Sequence, residues 1–185
     1  MTQVTELGYV TIGVSDLKAW EHFAGRILGL EVVPGESEAV RYLRMDYWHH
    51  RIKLVQDSAD DVLTAGLRVA GVLEFRAMAK LLSDAGIPVR IGTTAEADAS
   101  KVLEIMFLED PNGYPLEIFH GPLMQYHLPV HPGRRMHGAY KTAGGGFGHM
   151  MQSRTASFED IHAFYTVLGM RGGIEYKMPI PDRKS

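Results

Sequence analysis

The stretch LGYVTIGVSDLKAWEHFAGRILGLEVV, residues 7–33, decides the fold. Residues 7–14 are rich in β-branched side chains and predict a strand. Ser15 or Asp16 stands where a helix N-cap belongs. Leu17, Trp20, Phe23, Ala24 and Ile27 then recur at helical spacing and define one apolar face. Gly29 sits where such a helix stops, and residues 30–33 resume as a strand. The chain therefore opens β-α-β.

Working outward, residues 40–45 and 51–55 alternate as strands around a turn at 46–50. A similar unit follows. Residues 62–69 predict a strand. Leu73, Phe75, Met78, Leu81 and Leu82 mark a second helix, closed by Asp84-Ala85-Gly86. Residues 87–91 form a short strand, and the polar residues 93–101 read as loop. Strands at 103–108 and 115–119 flank Asp110-Pro111-Asn112-Gly113, a strong turn signal, so the pair reads as a hairpin. Short helices among mostly antiparallel strands give an α+β class.

Residues 122–144 are rich in Pro, Gly and His, lack any period, and read as a linker. The opening pattern then recurs, with a strand over 147–152, a helix over 158–168 and a stop at Gly169. Gly8-Tyr9 matches Gly148-His149, and Leu28-Gly29-Leu30 matches Leu168-Gly169-Met170 at the same offset. The expected division is a complete module over 1–121, a linker over 122–144, and an incomplete second module over 145–185. With its second copy short of strands, Phe158, Ile161, Phe164 and Leu168 are expected to lie exposed and favour self-association.

The net charge is −3 with no basic run, which removes electrostatic support for nucleic-acid or membrane-surface binding. Cysteine is absent, so disulfides and thiolate metal sites are excluded, as suits a reducing cytoplasm. The first residues lack a signal-peptide layout, and no apolar run approaches the roughly 18 residues of a membrane span.

Three segments together carry a family resemblance: LGYVTIGVSDLKAW at 7–20, FLEDPNGYPLEIFHGP at 107–122, and GGGFGHMM at 144–151 followed by AFYTVLGM at 163–170. They resemble the vicinal oxygen chelate superfamily and, within it, the type I extradiol ring-cleavage dioxygenases of the dihydroxybiphenyl kind. The resemblance implies paired βαβββ modules, the first without metal. It implies that the second holds Fe(II), with Mn(II) as the other ion to consider, through two His and one Glu. His149 falls on the first ligand position. The remaining ligands and the acid–base groups are expected beyond Ser185. The implied reaction is extradiol (meta) cleavage of a catechol-type diol by O₂ during aromatic catabolism, by a cytoplasmic homo-oligomer. The alternative is a metal-free, bleomycin-resistance-like binder of a small aromatic molecule.

Other candidates read as structural. Glu117 stands at a ligand position of the first module, but Tyr9 and Thr64 stand where its two His partners belong. His49 and His50 are neighbours whose side chains point to opposite faces if extended. His127, His131 and His137 are loosely spaced. Gly144-Gly145-Gly146 lacks the Lys-Ser/Thr of a phosphate loop. Met150 and Met151 serve packing or line an aromatic pocket.

Overall fold

Two βαβββ units share one mixed sheet in the structure, a computed structural model that describes residues 2–142, 146–153 and 155–173. The first unit comprises β1 (Val4–Val14), α1 (Leu17–His22), β2 (Glu31–Pro34), β3 (Val40–Arg44) and β4 (Ile52–Gln56). A π-helical turn, Phe23–Leu28, extends α1. The second unit comprises β5 (Val62–Val69), α2 (Val72–Asp84), β6 (Arg90–Ile91), α3 (Thr94–Ala99), β7 (Glu104–Glu109) and β8 (Pro115–His120). The strand order is β2-β3-β4-β1-β5-β8-β7-β6. β1 and β5 pair antiparallel at the centre, and each pairs parallel with the last strand of its own unit, β4 or β8. The two halves are thus related by an approximate two-fold.

Local chemistry explains most elements. Asp16 caps α1, accepting from the Ala19 amide at 2.9 Å. β7 and β8 form the expected hairpin, and Gly113 supplies the left-handed residue of its turn with φ 81°. α3 occupies part of the stretch read as loop. Thr93 and Glu96 form a reciprocal capping box there, with the Glu96 amide donating to Thr93 Oγ1 at 3.3 Å. Only Ala97 of this helix is buried, so it has no apolar stripe to read.

The outer face of the sheet carries two apolar clusters. Leu17 and Ala24 pack with Val14, Leu30, Leu43 and Leu54. α2 inserts Phe75, Met78 and Leu82 against strands β1, β5, β7 and β8. A further helix, α4 (Phe158–Val167), joins this second cluster. Ser157 caps it, accepting from the Asp160 amide at 3.1 Å. Phe164 and Leu168 are not exposed as expected; they are 6% and 0% accessible, packed on the outer core. The Val4 amide donates to the Leu168 carbonyl at 2.9 Å. Phe158 remains exposed.

The strand expected over residues 147–152 is irregular instead. Its link to the sheet is the Phe147 amide donating to the Leu7 carbonyl at 3.2 Å, and among the described residues no strand pairs with it. The linker follows the surface, bridging Met124 to Trp48 and placing the Gly133 amide 3.3 Å from the Leu30 carbonyl. Gly144, Gly145 and residues from 174 onward, where a further strand is expected to begin, lie outside the described residues. No helix among the described residues is long and apolar enough to cross a membrane.

Candidate active-site face

The inner face of the sheet is where the two halves meet. Tyr9 on β1 pairs with Gly66 on β5, and Gly66 pairs with Glu117 on β8. A register shift between Leu7 and Tyr9 sets this alignment, so Gly66 and not Thr64 lies level with the other two. Thr64 instead donates to the Pro115 carbonyl at 3.2 Å. The Tyr9 hydroxyl donates to Glu117 in a short hydrogen bond. Burial raises Glu117 above the usual carboxylate range, against the Tyr9 hydrogen bond and Lys53. Burial and the neighbouring carboxylate push the Tyr9 phenol well up in turn.

Tyr9 fills the centre of this face. It stacks on Phe119 at 5.0 Å between ring centroids, and Trp48 meets Phe119 edge-on at 6.1 Å. A Cβ at Gly66 would lie 2.5 Å from the Tyr9 ring. Gly66→Ala should therefore destabilise the protein by about 1–3 kcal/mol through overpacking of a central strand. Urea denaturation checks this, and an unchanged midpoint would show that the ring can yield. The open end of this face is a groove of about 660 Å³ whose wall includes Thr64, Arg90, Phe107 and Glu117.

His49 and His50 lie at the turn expected over residues 46–50, where the divergence of an extended strand does not apply. They lie outside any strand, and their Nδ1 atoms approach to 3.1 Å, so one ring donates to the other. His50 is buried, and its Nε2 has no partner among the described residues. Burial first, then His49, Lys53 and Lys101, push its pKa down to about 3. Burial and Lys101 take His49 down to about 4. Tyr42 lies against both rings and donates to Glu36 at 2.8 Å, while Lys101 closes over Glu36 at 2.6 Å.

His149 is exposed in the irregular segment after the linker. Met150 packs against the outer core, whereas Met151 is 94% accessible. His127, His131 and His137 are exposed. Among the described residues no three His, Asp or Glu side chains converge as metal ligands. Glu117 is engaged by Tyr9, and the level between them holds a glycine, so the first module does not fit a metal ion.

The family model described as "Dihydroxybiphenyl dioxygenase BphC D1" matches residues 7–56. The chain is 44% identical over 183 residues to a 1,2-dihydroxynaphthalene dioxygenase of Sphingobium xenophagum, covering 98% of this chain and 61% of that protein. The crystal structure of a catechol 2,3-dioxygenase superposes with a TM-score of 0.94 at 43% identity, over 98% of this chain and 60% of the other. The chain is similar to these ring-cleaving dioxygenases along nearly its whole length. It has the α+β, paired βαβββ architecture of the vicinal oxygen chelate superfamily, as the resemblance implies. It spans about three-fifths of the length of the proteins it matches, 61% and 60%. A protein named "Iron-dependent extradiol dioxygenase" from Rhodococcus jostii is 28% identical over 177 residues, 95% of this chain and 58% of its own length. These names do not favour the metal-free alternative. The Tyr9–Gly66–Glu117 level is the feature that spacing alone misplaced, because it depends on a bulge; the His49–His50 contact arises at the expected turn.

Proposed function

We propose that this chain supplies the first module and the opening of the catalytic module of an extradiol dioxygenase. Its reaction is the O₂-dependent cleavage of a bicyclic or substituted catechol beside its two hydroxyls, in cytoplasmic aromatic catabolism. The observation that carries this reading is the 44% identity to a 1,2-dihydroxynaphthalene dioxygenase, sustained over 183 residues. The working division is 1–121, 122–144 and 145–185. His149 is one ligand of a catalytic metal, Fe(II) in preference to Mn(II). This follows from its place in the GFGH segment and from the iron-dependent relative. The described residues offer His149 no partner ligands, so its two companions belong to the part of the relatives that this chain does not span. The first module's share of the work is structural. Its inner face is filled by Tyr9, Phe119 and Trp48, and its outer face carries the helix that follows His149. Exposed Tyr47, Leu103 and Tyr126 support assembly into a homo-oligomer.

Anaerobic addition of Fe(II), an iron count and an assay with 1,2-dihydroxynaphthalene and 2,3-dihydroxybiphenyl test the proposal. The 185-residue chain should hold far less than one iron and give no ring-opened product, because one His does not retain the ion. A chain extended to the length of its relatives should hold iron and turn over, and His149→Ala in it should abolish both. Stoichiometric iron in the 185-residue chain, or full turnover without His149, would overturn the assignment.

A further inference from the structure

We infer that the Asp110-Pro111-Asn112-Gly113 turn of the first module is a docking seat that positions the segment carrying His149. The inference rests on the reading of His149 above for its purpose, though not for its geometry.

The turn is first locked onto itself. Asp110 is 4% accessible, and its Oδ1 accepts from the amides of Asn112 at 2.8 Å and Tyr114 at 3.0 Å. The Asn112 side chain donates its Nδ2 to Asp110 Oδ2 at 3.3 Å. A carboxylate accepts only, so this contact fixes which end of the carboxamide faces outward. The outward end is Oδ1, and it accepts from the amides of Thr155 at 2.8 Å and Ala156 at 3.0 Å. These two residues lie immediately before the Ser157 cap of α4. Asp110 Oδ2 also accepts from the Tyr165 hydroxyl at 3.0 Å, and the Gln152 carboxamide lies 3.0 Å from that hydroxyl. The turn therefore grips the chain at 155–156 and 165, and Tyr165 in turn holds Gln152.

The polar grip sits beside an apolar one, since Phe164 and Leu168 are buried in the outer core. Gln152 is three steps along the chain from His149, a reach of about 10–11 Å at full extension. Holding Gln152 and Thr155 therefore confines His149 to a small volume beside the sheet. A turn whose only task was to join β7 to β8 would need the internal hydrogen bonds and none of the three outward ones. Asn112 and Tyr165 are positioning residues that act through the segment they hold.

The chain has no cysteine, so spin labels can be placed singly and cleanly. Labels at Met151→Cys and Lys80→Cys, both exposed, report the position of the segment against α2 by pulsed electron resonance. The unmodified grip should give a narrow distance distribution. Asn112→Ala and, separately, Tyr165→Phe should broaden it. They should also speed amide exchange in residues 157–168 by about tenfold, as loss of such hydrogen bonds predicts. Exchange in β7 and β8 should stay unchanged. An unaltered distribution in both variants would overturn the inference, as would faster exchange spread evenly over the sheet. Tyr165→Phe deletes one hydroxyl only and keeps the test open should Asn112→Ala fold poorly. No metal enters either measurement, so failure of the iron assignment and failure of the docking seat are separable.

Discussion

Phe164→Ala should lower the stability of the entire sheet by about 3–5 kcal/mol, the range for truncating a buried phenylalanine. The ring is 6% accessible and lies in one cluster with Val10, Ala65, Met78 and Ile118. Those neighbours come from β1, β5, α2 and β8, elements that cannot close over the vacated volume without breaking their own pairing. Phe158→Ala is the internal control. It lies on the same helix at 48% accessibility and should change stability by less than about 0.5 kcal/mol. Urea unfolding followed at Trp20 and Trp48 distinguishes the outcomes. A single transition shifted to lower urea supports α4 as part of the first module's core. An unmoved transition with loss of helical signal alone would mean that α4 docks as an independent appendage.

The second large effect is acid sensitivity. His49 and His50 are held at about 4 and about 3 in the folded chain, against 6.5 for an unperturbed histidine. Above pH 6.5 both are neutral in the folded and unfolded states and contribute no pH dependence. As pH falls below 6.5 the unfolded chain takes up protons that the folded chain refuses, so folding stability falls continuously toward pH 4. The loss should reach the order of a few kcal/mol, discounted for the partial exposure of His49. Glu36, held at about 2, acts with the same sign but only below its ordinary 4.5. Glu117 is raised, so it acts with the opposite sign and offsets part of the loss. Urea midpoints from pH 7.5 to 4.5 should fall for the wild type. They should fall much less for a His49→Gln/His50→Gln pair, which cannot titrate. Parallel slopes for the two proteins would assign the acid sensitivity elsewhere.

The β-α-β opening and the Asp-Pro-Asn-Gly hairpin were legible because their periods and turn chemistry are local. What escaped was not local. α3 is written in a capping box, Thr93 and Glu96, inside a stretch with one buried side chain, so hydrophobic spacing reports nothing there. Phe164 and Leu168 read as an unpaired apolar face because their partners are about 46 to 158 residues away in sequence, which no window captures. The level of the first-module site passes through Gly66 because β1 bulges between Leu7 and Tyr9; counting residues along β5 leads to Thr64. His49 and His50 share a bend, where the alternation of an extended strand does not hold. His149 is proposed from its family motif alone; in the described chain it is exposed on irregular backbone.

The hydrogen bond from Val4 to Leu168 has a bearing on how the chain is made. β1 is synthesised well before α4, so its outer surface, packed by α2 in the meantime, gains its last cover only when the helix ending at Val167 emerges. At about 5–20 residues per second, that interval is on the order of ten seconds or more. Through it the part of the outer core that Phe164 and Leu168 cover remains open to water on a nascent polypeptide. Shielding of that surface during synthesis therefore bears on the yield of folded protein.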